Sequence, residues 1–342
     1  MRRLVLLFFL MVALPSAYAG NSIQLHNSSP TLQDKKIEAR FGKAIQTFLD
    51  ERGFQGAIVT IFKNGKQVLN QSYGECEADK VCPIASLSKL FTEMAIKQLI
   101  AEKVLSYDTK VYSYLGQDCD LLDDRVEKIT IKQLLEHKGG WDRDLTPDPL
   151  FNLQILYPPG CPRLLTRNEF MKFVFTHFKL DHEPGSVKAY CNFGYFLLGA
   201  VIEKATGQSY LEHINNKFAA PNHFTLEQAI TPDIYVNGFA YPNHFSLELA
   251  SSAFGLAAKM SDICSFFSKV DRDGTSKALQ LRKEEIWWRD GSLPGSATVL
   301  LRCRLNNVII AIYIPGRDEN NWISDNGTLK NLIDNAANSV GL

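Results

Sequence analysis

The chain has 342 residues, with 37 Lys plus Arg balanced against 37 Asp plus Glu, and seven cysteines. An even balance without a long basic block argues against nucleic acid as a partner, because phosphate backbones reward clustered Lys and Arg. Hydrophobic residues at 45% and charged residues at 22% are globular values. They exclude disordered and collagen-like chains, and seven cysteines are too few for a disulfide scaffold.

The first segment is expected to lie outside the fold. Arg2 and Arg3 precede an unbroken apolar run from Leu4 to Leu14, and Ala17-Tyr18-Ala19 forms an A-x-A cleavage pattern before Gly20. Eleven apolar residues at about 1.5 Å each cover only about half of a bilayer core. Residues 1–19 therefore read as a cleaved signal peptide rather than an anchor, and the protein as secreted or periplasmic, with no stable membrane insertion. Loss of Arg2 and Arg3 leaves the remainder slightly acidic.

Apolar residues at helical spacing predict a helix from Asp34 to Glu51. Gly56 to Phe62 and Gln67 to Tyr73 read as a hairpin around the turn signal Asn64-Gly65. A long helix is expected from Ser86 to about Glu102. Tyr107 to His182 is mixed and broken by prolines, and a further helix runs from Phe193 to about Ala205, stopping at Gly207. Gly255 to Val270 is read as helical. Ala297 to Leu305 and Val308 to Pro315 read as strands around Asn306-Asn307, and Thr328 to Val340 as a closing helix.

Strands at both ends and helices between them predict an α/β (α+β) fold with one sheet built from both chain ends. Residues 20–342 form a single domain on this reading. Its α/β part covers about 35–85 and 255–342, around a helical insertion at about 105–250. Export permits disulfides. Cys76 and Cys82, in one loop, are the foremost candidates to pair, with Cys119 and Cys161 behind them. An odd count leaves at least one thiol over. The scattered histidines and the lack of C-x-x-C or H-E-x-x-H imply no metal.

Chemistry concentrates first in Ala85-Ser86-Leu87-Ser88-Lys89. Three residues apart on a helix, the Ser86 hydroxyl and the Lys89 amine can meet. A serine becomes a nucleophile when a nearby base takes its proton, and burial among Leu87, Leu90, Phe91 and Met94 would favour a neutral lysine. The bland alternative is a helix-capping serine and a surface lysine. A second segment, Pro184-Gly185-Ser186-Val187-Lys188-Ala189-Tyr190-Cys191-Asn192, leads into an apolar helix. Tyr190 could shuttle a proton there, and Asn192 could hold a substrate carbonyl. The third is Trp287-Trp288-Arg289-Asp290-Gly291-Ser292, running towards the strand at Thr298. Glycine at a strand edge lets backbone N–H groups approach a carbonyl. Of the adjacent tryptophans, at most one can face a pocket.

These three segments, in this order, resemble the serine β-lactamase and penicillin-binding-protein superfamily in its class C-like branch. That branch also holds D,D-peptidases, D-aminopeptidases, esterases and LACTB-type proteases. The resemblance extends to Leu134-Leu135-Glu136-His137-Lys138-Gly139-Gly140 and to Phe254-Gly255-Leu256, and spans about 45–335. It implies Ser86 as the acylated nucleophile, Lys89 as its proton acceptor, and Tyr190 as partner base and leaving-group acid. It further implies Asn192 as a substrate-orienting residue and an oxyanion hole from the N–H groups of Ser86 and Ser292. No cofactor is implied. The expected partner is a small-molecule or peptide substrate with an amide or ester carbonyl.

Where the family has K-T-G or H-x-G, this chain has Arg289-Asp290-Gly291. Arg289 could grip a substrate carboxylate through two parallel hydrogen bonds, or pair with Asp290 or another acid and touch no substrate. An arginine cannot lose a proton as lysine or histidine can, so efficient β-lactam hydrolysis is not expected. Cys191 is expected to be a passive thiol, and the His137 segment structural. Asn27, Asn70 and Asn326 begin N-x-S/T sequons. A non-catalytic binding or scaffold protein on the same fold is the alternative to a hydrolase.

Overall fold

The computed structural model describes residues 31–151, 165–230, 246–272, 286–304 and 308–342, with two short paired strands at 235–236 and 239–240. The expected signal peptide, Cys161 and the turn at Asn306-Asn307 lie outside the described residues.

Helix α1 (Leu32–Arg52) starts at a Thr31/Asp34 capping box and ends at Gly53, whose φ of 70° is the left-handed conformation that glycine adopts without strain. Strands β1 (Gly56–Lys63) and β2 (Lys66–Gly74) form the predicted hairpin. Asn64 and Gly65 carry φ values of 52° and 76°, the pair of positive angles a two-residue turn needs to match strand twist. After the short β3 (Cys82–Pro83) and a single 3-10 turn, Ala85–Leu87, comes α2 (Ser88–Ala101). The helical region contains α3 (Val111–Leu115), α4 (Ile131–Leu135), α5 (Arg167–His177), α6 (Asn192–Thr206) and α7 (Tyr210–Ile214). Strands β4 (Glu227–Gln228), β5 (Tyr235–Val236), β6 (Phe239–Ala240) and β7 (Leu256–Ala258) follow, then α8 (Met260–Arg272). The chain closes with β8 (Ile286–Leu293), β9 (Ala297–Arg304), β10 (Val308–Ile314) and α9 (Trp322–Ser339).

The main sheet is antiparallel with strand order β2-β1-β10-β9-β8, so strands from the two chain ends do lie side by side. Alternation decides its two faces. Ala57, Val59 and Ile61 pack with Ile310 and Ile312 under α1 and α9, while Ile58 and Phe62 join Ile309 and Ala311 in the larger core with Phe266 of α8. β10, apolar on both faces, is wholly buried at the centre. Helix α2 lies in that larger core, with Leu90, Phe91, Met94, Ala95 and Leu99 all buried.

Three sequence expectations need correction. Gly255–Val270 is not one helix: Leu256–Ala258 is strand, paired with both β3 and β4, and helix begins only at Met260. A Cβ at Gly255 would lie 1.9 Å from the Leu247 carbonyl oxygen, so glycine admits a backbone approach that no helix signal reports. Cys76 and Cys82 are unbonded thiols. The Cys82 sulfur donates to the Lys80 carbonyl at 3.4 Å, whereas the Cys76 sulfur lies against Gly56. The closing helix begins six residues early, at Trp322, and the sequon residue Asn326 is buried within it, facing Asp290. Among the described residues, no helix is long and apolar enough to cross a membrane.

Candidate active site

Local geometry at Ser86 is set by long-range pairing. The Ile84 N–H donates to the Leu256 carbonyl at 2.9 Å, which extends the β3–β7 contact to the edge of the turn. Ala85 then adopts φ 46°, a left-handed angle that strains a non-glycine residue and turns the chain sharply into Ser86. Ser88 locks that turn. Its hydroxyl donates to the Ala85 carbonyl at 2.7 Å and accepts from the Leu256 N–H at 3.2 Å. Ser86 therefore sits in a 3-10 turn before α2 rather than on the helix itself, yet the Ser-x-x-Lys spacing still brings the pair together.

Lys89 is 7% exposed and donates in three directions: to Ser86 Oγ at 3.2 Å, Asn192 Oδ1 at 2.7 Å and the Ala253 carbonyl at 2.7 Å. Three acceptors match the three hydrogens of an ammonium group. Tyr190 completes the cluster, its hydroxyl 2.8 Å from Ser86 Oγ. The three predicted catalytic residues thus converge on one hydroxyl.

Tyr190, Cys191 and Asn192 are held from two loops. Ala189 N–H donates to the His137 carbonyl at 2.8 Å, and the His137 ring stacks on Tyr190 at 4.6 Å. Asn192 is the first residue of α6, where Cys191 provides no side-chain cap; Asp148 from a distant loop accepts the Asn192 N–H at 2.6 Å instead. A carboxylate on that helix end satisfies an otherwise unpaired donor and opposes the positive end of the helix dipole. Burial pushes the Asp148 carboxyl up, and its two backbone donors, Asn192 and Leu150, pull it back. Asn192 Oδ1 is committed to Lys89, so any substrate contact it makes comes from its Nδ2 hydrogens. Cys191 is a buried unbonded thiol that burial pushes well up, which leaves it a poor nucleophile.

His137 has a consequence for stability. Burial, then the charges of Lys89 and Lys188, lower its pKa to about 3. Between about pH 6.5 and that value the unfolded chain binds a proton that the folded chain refuses. Stability from this site is complete above about pH 6.5 and is lost on acidification at about 1.4 kcal/mol per pH unit. His137→Phe, which keeps the stacking and removes the titration, should flatten the pH dependence of the urea midpoint over this range. An unchanged slope would show that other groups control it.

The opposite wall is β8. Gly291 is where glycine is obligatory: a Cβ there would lie 2.7 Å from the Ser86 nitrogen and 2.9 Å from the Ile84 carbonyl oxygen. The strand therefore runs against the Ser86 amide. Arg289 and Asp290 point to different faces. Asp290 bonds Lys330 at 3.0 Å on the α9 side, while Arg289 is exposed at the cavity, its Nη1 donating to the Trp288 carbonyl at 3.0 Å. Ser292 Oγ accepts from Arg317 Nη1 at 3.1 Å, and Arg317 is itself paired with Glu319. Trp287 is buried against Phe267 while Trp288 lines the cavity, so one of the two faces the pocket.

All seven candidate residues line one cavity of about 1130 Å³. Sequence reasoning missed four contributors: Ser88, Asp148, Arg143 and Arg317. The guanidinium of Arg143 lies 4.4 Å from the Tyr190 ring centroid. Only the Pro147-Asp148-Pro149 turn carried a local signal; the others depend on contacts between distant segments.

The fold is shared with serine enzymes of the penicillin-recognising class. A β-lactamase/D-alanine carboxypeptidase from Yersinia pestis superposes with TM-score 0.66 at 14% identity, covering 88% of this chain and 98% of its own. A D-amino acid amidase from Ochrobactrum anthropi SV3 gives TM-score 0.62 at 19% identity over 86% and 99%. The model of the Beta-lactamase family matches residues 41–312, and the chain belongs to that family. Among curated sequences, Protein flp of Staphylococcus aureus (strain N315) is 31% identical over 55% of this chain, a stretch that is 37% of its own length. A probable fimbrial assembly protein FimD of Dichelobacter nodosus (serogroup H1) is 39% identical over 37% of this chain and 29% of its own.

Proposed function

We propose that the protein is an exported serine hydrolase that cleaves an amide or ester through a Ser86 acyl-enzyme. The observation that carries this reading is the position of Ser86 Oγ, within hydrogen-bond reach of both Lys89 and Tyr190. Lys89 and Tyr190, both within hydrogen-bond reach of the Ser86 hydroxyl, together serve as the base. The Ser86 proton passes to the pair as Oγ bonds the substrate carbonyl carbon. Negative charge on the carbonyl oxygen is met by the N–H groups of Ser86 and Ser292, a reading supported by the close run of Gly291, next to Ser292, against the Ser86 amide. Collapse breaks the bond to the leaving group, which takes the proton from Tyr190. Water then gives a proton to the same pair, attacks the acyl carbon and frees the acid, and Ser86 recovers its proton.

The fold neighbours include a D-alanine carboxypeptidase and a D-amino acid amidase. They favour a peptide or amide with a D-configured residue at the scissile bond. Arg289, exposed at the cavity on the β8 wall, suits a substrate carboxylate. The leader-like residues 1–19 support a secreted or periplasmic site of action.

The test is labelling by a fluorophosphonate together with turnover of p-nitrophenyl esters, a chromogenic cephalosporin and D-Ala-D-Ala peptides. Wild type should label and turn over at least one of these, and Ser86→Ala should lose labelling with on the order of 10³-fold or more of the rate. Equal behaviour of the two proteins would favour the non-catalytic scaffold instead.

A further inference from the structure

The cavity has a second cluster of cations, on the helical wall beside Tyr190 and away from Arg289 on β8. Arg143 lies 4.4 Å from the centroid of the Tyr190 ring, whose hydroxyl is 2.8 Å from Ser86 Oγ. Lys188, two residues before Tyr190, is exposed and lines the same cavity. Its charge reaches His137, the residue stacked on Tyr190.

The described acids around this wall have other partners, although Asp142 and Asp148 also feel the Arg143 charge. Asp148 caps α6, Glu93 pairs with Lys97, and Glu136 lies 3.9 Å from Lys138. Arg143 Nε lies 4.0 Å from Asp144, whose side chain is 89% exposed, a contact too wet to neutralise a guanidinium. The loop that carries Arg143 is braced. Asp142 Oδ2 bonds His182 Nε2 at 2.9 Å, and Thr146 donates to Asp181 at 2.7 Å. A cation on a braced loop, stacked on an aromatic ring, loses little freedom when it binds an anion.

We infer that Arg143 and Lys188 form a carboxylate-binding subsite on the Tyr190 wall, so that the substrate carries an acidic group there in addition to any that Arg289 meets. This rests on the hydrolase reading above and deepens it: the substrate class is an acidic amide or ester rather than a neutral one. Arg143 supplies a planar donor pair for the carboxylate, and Lys188 a mobile point charge.

Four matched p-nitrophenyl or phenolic esters test the subsite: one neutral, one with a carboxylate in the acyl half, one with it in the leaving half, and one with both. In wild type, a carboxylate in one of the halves should raise kcat/KM about tenfold over the neutral ester, and the gain should shrink at high salt. Arg143→Glu with Lys188→Glu should abolish that gain, read as the ratio of acidic to neutral ester whatever each variant does to absolute rates. Arg143→Lys should restore part of it. No gain from either carboxylate, or a gain that survives both charge reversals, would overturn the subsite. Failure of the hydrolase reading gives a different result: no Ser86-dependent cleavage of the neutral ester at all.

Discussion

Lys89→Met is expected to lower kcat/KM by on the order of 10³-fold and to destabilise the protein by about 2–4 kcal/mol. Methionine keeps the apolar length of the lysine stem but removes all three donors. Ser86 then loses the base pair, and Asn192 Oδ1 and the Ala253 carbonyl are left in a buried setting without the hydrogen bonds they accept now. Each stranded acceptor costs about 1–3 kcal/mol. Lys89→Arg should not rescue, because a planar guanidinium cannot aim at three acceptors around one nitrogen. Fluorophosphonate labelling and urea unfolding measure the two effects separately. A Lys89→Met protein of wild-type activity would remove Lys89 from the mechanism.

The second large effect is expected at Gly291, where the added atom is a single methyl group. Gly291→Ala places that methyl 2.7 Å from the Ser86 nitrogen and 3.1 Å from the Ala85 Cβ, both on a turn fixed by Ser88 and Leu256. Neither side can yield as a flexible side chain would. Either β8 moves outward or the Ser86 turn rotates, and both displace the amides proposed to bind the oxyanion. Loss of one such donor lowers kcat by about 10²–10³-fold. The overpacking itself should cost about 1–3 kcal/mol. The fluorophosphonate labelling rate measures the first term and thermal unfolding the second. Normal labelling by Gly291→Ala would mean that β8 does not contribute to the hole.

The meeting of Ser86, Lys89 and Tyr190 was legible from short segments whose joint order carries the family resemblance. Ser86 and Lys89 share one helical spacing, and Tyr190 and Asn192 precede one apolar helix. The hairpin was legible for a similar reason, since Asn64-Gly65 tolerates the positive φ that the turn requires. What stayed hidden depends on partners far along the chain. Leu256–Ala258 looks helical beside α8 and becomes strand only because β3 and β4 offer unpaired edges. Ser88 looks like a repeat of Ser86 until Leu256 arrives to donate to it. The bond from Asp290 to Lys330 likewise depends on a helix forty residues further along the chain.

Strand β10 has a temporal consequence. It pairs with β1 on one side and β9 on the other, setting Ile58 opposite Tyr313. During synthesis the β1–β2 hairpin therefore presents an apolar, unpaired edge until residues 308–314 have left the ribosome. Such non-local closure is slow, and an open strand edge invites association with other chains. The same delay withholds chemistry. Ser86, Lys89 and Tyr190 emerge early, but the β8 wall against the Ser86 amide comes from residues 286–293. The proposed site is therefore incomplete, and the hairpin edge in need of protection from its neighbours, until β8 and β10 are in place.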